Sequence, residues 1–140
     1  MADNYLGKKM EDHMRASASK RATTRSLMRL LEKNRSHRSF DSAFKVREDQ
    51  LRRIIEVATK IPSARNQQVL RFRPVLEDEA HKVLPHIRLG GALPELNLPE
   101  KGSEPNAFIV ICSTVPEERY VSVDLGIAAQ SMLLQAVEIG

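Results

Sequence analysis

The chain of 140 residues is 41% hydrophobic, with one cysteine and a formal net charge of +4. That composition fits one domain with its own core and excludes an intrachain disulfide or a thiolate zinc site. No apolar run approaches the ~20 residues of a bilayer crossing, and residues 1–9 lack the apolar stretch of a signal peptide, so a cytoplasmic chain with no membrane association is expected.

The charge is unevenly spread. Residues 1–73 hold 18 Lys+Arg against 8 Asp+Glu, a net of +10, and residues 74–140 hold 4 against 10, a net of −6. A basic half suggests an anionic partner. Nucleic acid is one reading, but single-strand binding interleaves aromatics with cations, and this half offers only Tyr5, Phe40, Phe44 and Phe72. The phosphate of a small cofactor needs far less charge.

In chain order, residues 1–22 are polar and read as an N-terminal extension, with the domain proper at 23–140. Thr23 or Thr24 can cap a helix with Leu27, Leu30 and Leu31 on one face, ending near Asn34. A second helix starts near Asp49, repeats Leu51, Ile54, Ile55 and Ala58 at helical spacing, and stops before Pro62. Residues 69–76 alternate like a strand, with Pro74 arguing for an edge or a bulge. Residues 77–84 form a short acid-started helix broken by Pro85, and a long Gly/Pro/Asn stretch occupies 89–106. Residues 107–113 read as a central strand buried on both faces, which makes Cys112 a small buried hydrophobe. A last helix begins between Tyr120 and Asp124 and carries Leu125, Ala128, Ala129, Met132, Leu133, Ala136 and Val137, slimmed by Gly126 and the alanines. The end at Gly140 reads as cut.

Two segments carry chemistry. Asn34-Arg35-Ser36-His37-Arg38-Ser39-Phe40 concentrates two guanidiniums, hydroxyls and an imidazole, suited to a phosphate through charge-assisted bonds; spacing alone favours the plainer reading, cations that cap the preceding helix and face water. Ile61-Pro62-Ser63-Ala64-Arg65-Asn66-Gln67-Gln68 places small and amide residues after a breaker, able to bond a planar heterocycle or simply to turn the chain.

Taken in order, the Arg35-Ser36-x-Arg38 segment, the Pro62-Ser63-x-x-Asn66-x-Gln68 loop and the helix from Val123 to Ala136 resemble the nitroreductase family of FMN-dependent oxidoreductases. The likeness runs from about Leu27 to Gly140. It implies an α+β fold: a small central sheet surrounded by helices, a long central helix at a homodimer interface, and a C-terminal part missing here. It also implies that Arg35 and Arg38 hold the FMN phosphate and ring edge while Ser36 bonds ribityl or phosphate oxygens. Pro62, Ser63 and Ala64 would lie against the flavin ring bound mainly by the other subunit, with Asn66 and Gln68 making polar contacts or fixing the loop. Asp124 is expected to be a helix cap.

The implied activity is hydride transfer from NAD(P)H through flavin to a nitroaromatic, quinone or similar conjugated acceptor, with no metal and no catalytic side chain. Other readings are a truncated, non-catalytic dimerisation or flavin-binding fragment and, less favoured, a basic nucleic-acid binder. The sequence departs from the family pattern where Val69 replaces a proline, where Leu70 and Arg71 replace an aromatic, and in lacking the closing segment.

Overall fold

Residues 27–92, 94–116 and 118–140 are described by the computed structural model. The expected extension at 1–22 and the caps Thr23 and Thr24 lie outside the described residues. A division between Lys33 and Asn34 separates two units. Of the first, the described part is helix α1, Leu27–Lys33. It has Lys33 in its last turn, where a cation meets the negative helix end. Its expected apolar face is largely open: Leu30 is half-buried, whereas Leu27 and Leu31 are exposed.

The second unit begins its regular structure with α2, Glu48–Ala58. Glu48 and Asp49 put negative charge in its first turn, and the Gln50 side chain accepts the Arg47 backbone N–H at 2.9 Å, satisfying a group the helix leaves orphaned. At its end the Thr59 hydroxyl donates to the Glu56 carbonyl at 2.7 Å, and Pro62 stands beyond. Leu51 is the buried anchor of its apolar face.

Strand β1, Leu70–Val75, pairs antiparallel with β2, Phe108–Ser113, from Leu70 opposite Ser113 to Val75 opposite Phe108. The register runs through Pro74, opposite Ile109, without a bulge, so the edge position is what accommodates the proline. Between the strands lie α3, Glu77–Val83, three acids in its first turn, and a 3-10 turn at Leu84–His86 containing Pro85. The Lys45–Glu77 ion pair ties the start of α3 to the segment ahead of α2.

The expectation of a central strand at 107–113 is corrected. Among the described residues β2 pairs with β1 alone, Phe108 to Ile111 are half-buried, and Cys112 is exposed rather than buried. A two-stranded sheet covers one edge of each strand, which is why the apolar run of β2 stays partly open.

Helix α4, Arg119–Ile139, is 21 residues long. Val121, Asp124, Ala128 and Met132 form its buried row, the i, i+3, i+7, i+11 spacing of one helix face. The helix packs chiefly on α2 and touches β1 and the turn at Ala64–Asn66. Leu51, Val69, Val75 and Ala80 complete the core with this row. At a mean hydropathy of 1.2, α4 is long and apolar enough to cross a membrane by length and composition, contrary to the expectation that no segment reaches that length. Its buried aspartate and its packing on α2 place one face of it in the core.

Candidate functional site

Residues 34–40 have no regular structure, and all of them but Ser39 line a cleft of about 640 Å³ with Arg88, Leu89, Gly90, Gln130 and Leu133. Arg35, Ser36, His37 and Arg38 are all exposed along it. The guanidiniums of Arg35, Arg38 and Arg88 form no ion pair or hydrogen bond among the described residues, while Lys45, Arg47, Arg52, Arg53, Arg73 and Lys82 are each held by a carboxylate. Three such guanidiniums on one concave surface offer the charge-assisted donors that a phosphate can take.

The second element is the loop at 61–68, whose tight path is set by its own polar groups. Pro62 and Ser63 are followed by a 3-10 turn, Ala64–Asn66, in which the Asn66 N–H donates to the Ser63 carbonyl at 2.9 Å. The Ser63 hydroxyl accepts the Gln68 N–H at 3.0 Å, and the Gln68 amide donates to the Asn66 side-chain oxygen at 3.0 Å. Arg65, Asn66 and Gln68 have φ of 52°, 55° and 49°, a left-handed conformation that costs a non-glycine residue roughly 1–2 kcal/mol. Three such residues in four positions persist because the surrounding bonds over-determine the turn.

The strongest of those bonds comes from α4. Asp124, with 4% of its surface exposed, receives the Ala64 N–H on both carboxylate oxygens, at 2.9 and 3.2 Å. The expectation that Asp124 caps the helix is corrected: α4 starts at Arg119, five residues earlier, and Glu118 occupies the cap position. One turn before Asp124, the Arg65 guanidinium lies 5.1 Å from the centre of the Tyr120 ring, within cation–π range.

Pro62, Ser63, Gln68 and Asp124 line a cleft of about 300 Å³ with residues of β1 and Ala128. This cleft and the arginine-lined one share no lining residue. They meet different flanks of α4, at Asp124 and Ala128 for one and Gln130 and Leu133 for the other. A single chain therefore brings together Arg35, Ser36 and Arg38, and separately Pro62, Ser63 and Gln68; Ala64 and Asn66 belong to the second group through their bonds in the turn.

Sequence reasoning missed Arg88, Gln130 and the anchoring use of Asp124. An arginine in front of Leu89 and Gly90, directly after a proline-broken helix, was the available signal for Arg88. The spacing of Asp124 within the buried row of α4 was the signal that an acid there needs a partner.

No protein-family model matches the chain, and no curated protein matches it in sequence. Solved structures do match. A Desulfovibrio desulfuricans protein named as a nitroreductase and crystallised in complex with FMN is 22% identical, with a TM-score of 0.64 over 84% of this chain and 65% of that one. A nitroreductase with bound FMN from Bacteroides fragilis is 18% identical, with a TM-score of 0.64 over 84% of this chain and 67% of that one. A protein named as an NADH oxidase from Clostridium acetobutylicum is 24% identical, with a TM-score of 0.51 over 74% of this chain and 59% of that one. The chain has the nitroreductase-like α+β fold, and it spans 65% of the length of the Desulfovibrio protein.

Proposed function

We propose that the chain is an FMN-dependent oxidoreductase of the nitroreductase type, acting in the cytoplasm as a homodimer. In this reading it takes hydride from NAD(P)H and passes it to a nitroaromatic, a quinone or a similar flat conjugated acceptor. The observation that carries it is the trio of guanidiniums, Arg35, Arg38 and Arg88, without partners among the described residues, on a cleft of about 640 Å³, a volume within the roughly 300–1,000 Å³ of cofactor sites. FMN bound to proteins of this fold is the second support.

The donor set fits the group. Arg35, Arg38 and Arg88 neutralise the phosphate, Ser36 donates to a phosphate or ribityl oxygen, and Gln130 offers an amide from α4. The flavin, when bound, supplies both hydride acceptance and hydride donation. The chain's own residues bind and orient it, and no side-chain acid or base is required, because water can supply the proton that completes reduction of the acceptor. Pro62, Ser63 and Ala64 present a small, largely apolar surface suited to a flat ring.

The separation of the two clefts within one chain is the reason for a second copy. The loop at 61–68 of one subunit then faces the flavin held by Arg35 and Arg38 of the other. The flank of α4 that carries Val123, Gly126, Gln130 and Leu133, all exposed, is the surface across which the copies meet.

Titration of the purified chain with FMN, followed by quenching of flavin fluorescence, tests the reading, with oxidation of NADH and NADPH in the presence of a quinone as the second measurement. Saturable FMN binding with turnover is expected. Flavin fluorescence that the chain leaves unquenched even at high FMN concentration sinks the proposal. Binding without turnover supports the fragment that binds flavin but does not catalyse.

A further inference from the structure

We infer that Asp124 is the positioning residue of the ring-facing loop, holding Pro62, Ser63 and Ala64 in place through the Ala64 N–H. The inference rests on the flavin reading for its consequence, though not for its geometry.

The buried row of α4 consists of Val121, Asp124, Ala128 and Met132, and a leucine or methionine in the second place would pack without desolvating a charge. A buried carboxylate is expensive unless its oxygens are bonded. Among the described residues Asp124 has no ion pair, and its position in the second turn of α4 is beyond the reach of the helix dipole. Both its oxygens instead converge on one backbone N–H sixty residues away in sequence. That bond contributes little to stability relative to an apolar residue, but it fixes one peptide group in space. The peptide it fixes adjoins Ser63 and leads into Arg65 and Asn66, both at positive φ.

Tyr120, one helical turn earlier, meets Arg65, the residue next to Ala64. Two side chains at i and i+4 on α4 thus hold two consecutive residues of the loop. The same helix supplies Gln130 and Leu133 to the arginine-lined cleft on its other flank. Helix α4 is in this way the common reference for the phosphate grip and for the surface that meets the ring.

Removal of the carboxylate is expected to release the loop while leaving the arginine-lined cleft intact. In the full chain, amide hydrogen exchange at Ala64 should be slow in the wild type and at least about tenfold faster in Asp124→Ala, the effect of losing one charge-assisted bond. Asp124→Asn keeps an acceptor oxygen and should restore most of the protection. FMN affinity, read by fluorescence quenching, should fall by about tenfold in Asp124→Ala and recover in Asp124→Asn. A role confined to filling space is separated by Asp124→Leu, which keeps the volume but has no acceptor for the Ala64 N–H and should exchange as fast there as Asp124→Ala.

Equal exchange at Ala64 in the wild type and in Asp124→Ala overturns the inference, as does an Asn variant no better than Ala in holding the loop. Should Asp124→Ala fail to fold, Asp124→Asn and the exposed Tyr120→Ala carry the comparison: faster exchange confined to residues 62–68 in Tyr120→Ala supports the clamp, and unchanged exchange there counts against it. Absence of FMN binding by the wild type defeats the flavin reading alone, since Ala64 exchange still decides the role of Asp124.

Discussion

The backbone N–H of Phe40 donates to the carbonyl of Ser103 at 3.0 Å, tying the arginine-bearing segment to the far end of the long 89–106 stretch. A second tie follows four residues on, where the Asn106 side-chain amide donates to the Phe44 carbonyl at 2.7 Å. The segment at 34–40 has no regular structure of its own, so these two bonds fix its downstream end. Asn106→Ala removes the second bond and leaves an exposed carbonyl that water can reach. A loss of about 1 kcal/mol is expected, measured by urea unfolding, with FMN affinity falling as the segment loosens. An unchanged unfolding midpoint would show that the 40–44 turn is held by other means.

The cleft lined by Arg35, Arg38 and Arg88 makes a prediction that separates phosphate from ring. Each Arg→Ala substitution should weaken FMN by about tenfold, the value of one lost charge-assisted contact at a partly solvated site. Riboflavin, which has the ring and ribityl chain without the phosphate, should bind the wild type and the three variants alike. FMN affinity should also fall with salt in the wild type and less so in the variants. Arginine variants that lose riboflavin as much as FMN would move these residues from the phosphate to the ring.

How far the sequence foretold this arrangement depends on the range of the interactions involved. Helices α2, α3 and α4 were legible because their signals are local: acids at the starts, a stop at Pro62 or Pro85, and apolar spacing between. Strand β2 was located correctly but its burial was misjudged, since Phe108 to Cys112 read as apolar whether or not a second neighbour covers them. The excess of positive charge in residues 1–73 suggested an anionic partner for that half. The fold instead spends part of it on pairs that join the two halves, Lys45 with Glu77, Arg73 with Glu79 and Arg53 with Glu138, while Arg35 and Arg38 line the cleft with Arg88 of the acidic half. The Asp124 bond to Ala64 was beyond reach because it spans sixty residues, and periodicity alone suggests a local cap for an acid near a helix start.

The pair Arg73 and Glu79 links β1 to α3 and predicts a pH dependence. The Lys82 ammonium, 2.9 Å away, and the Arg73 guanidinium, at 2.8 Å, hold the Glu79 carboxyl below the usual range. A carboxyl whose value is lowered by folding contributes stability above its unfolded value, near 4.3, and that contribution is lost as pH falls through the lowered folded value. The wild type should therefore be slightly more stable than Glu79→Gln at neutral pH, with the two converging in strong acid. The effect is small and weakened by salt, because the groups are largely exposed. Urea unfolding of both proteins across the acid range checks it, and a gap that persists in strong acid would rule out this origin.

The exposed flank of α4 supplies the prediction for assembly. Val123 is 50% exposed and Leu133 is 52% exposed. Between them Gly126 and Gln130 continue one stripe at spacings of three and four, and Gly126 has open space where a side chain would stand. A slim, partly apolar stripe on the helix that also carries the core lets two copies approach closely. Val123→Asp places a charge in that contact without touching the buried row or either cleft, so the subunit should fold unchanged by circular dichroism. Light scattering should show a dimer for the wild type and a shift to monomer for the variant, with FMN affinity falling in parallel because the loop at 61–68 would no longer meet the partner's flavin. Monomeric wild type that binds FMN at full strength would show that one chain closes the site alone. A dimeric variant with normal binding would place the contact on another face of the molecule.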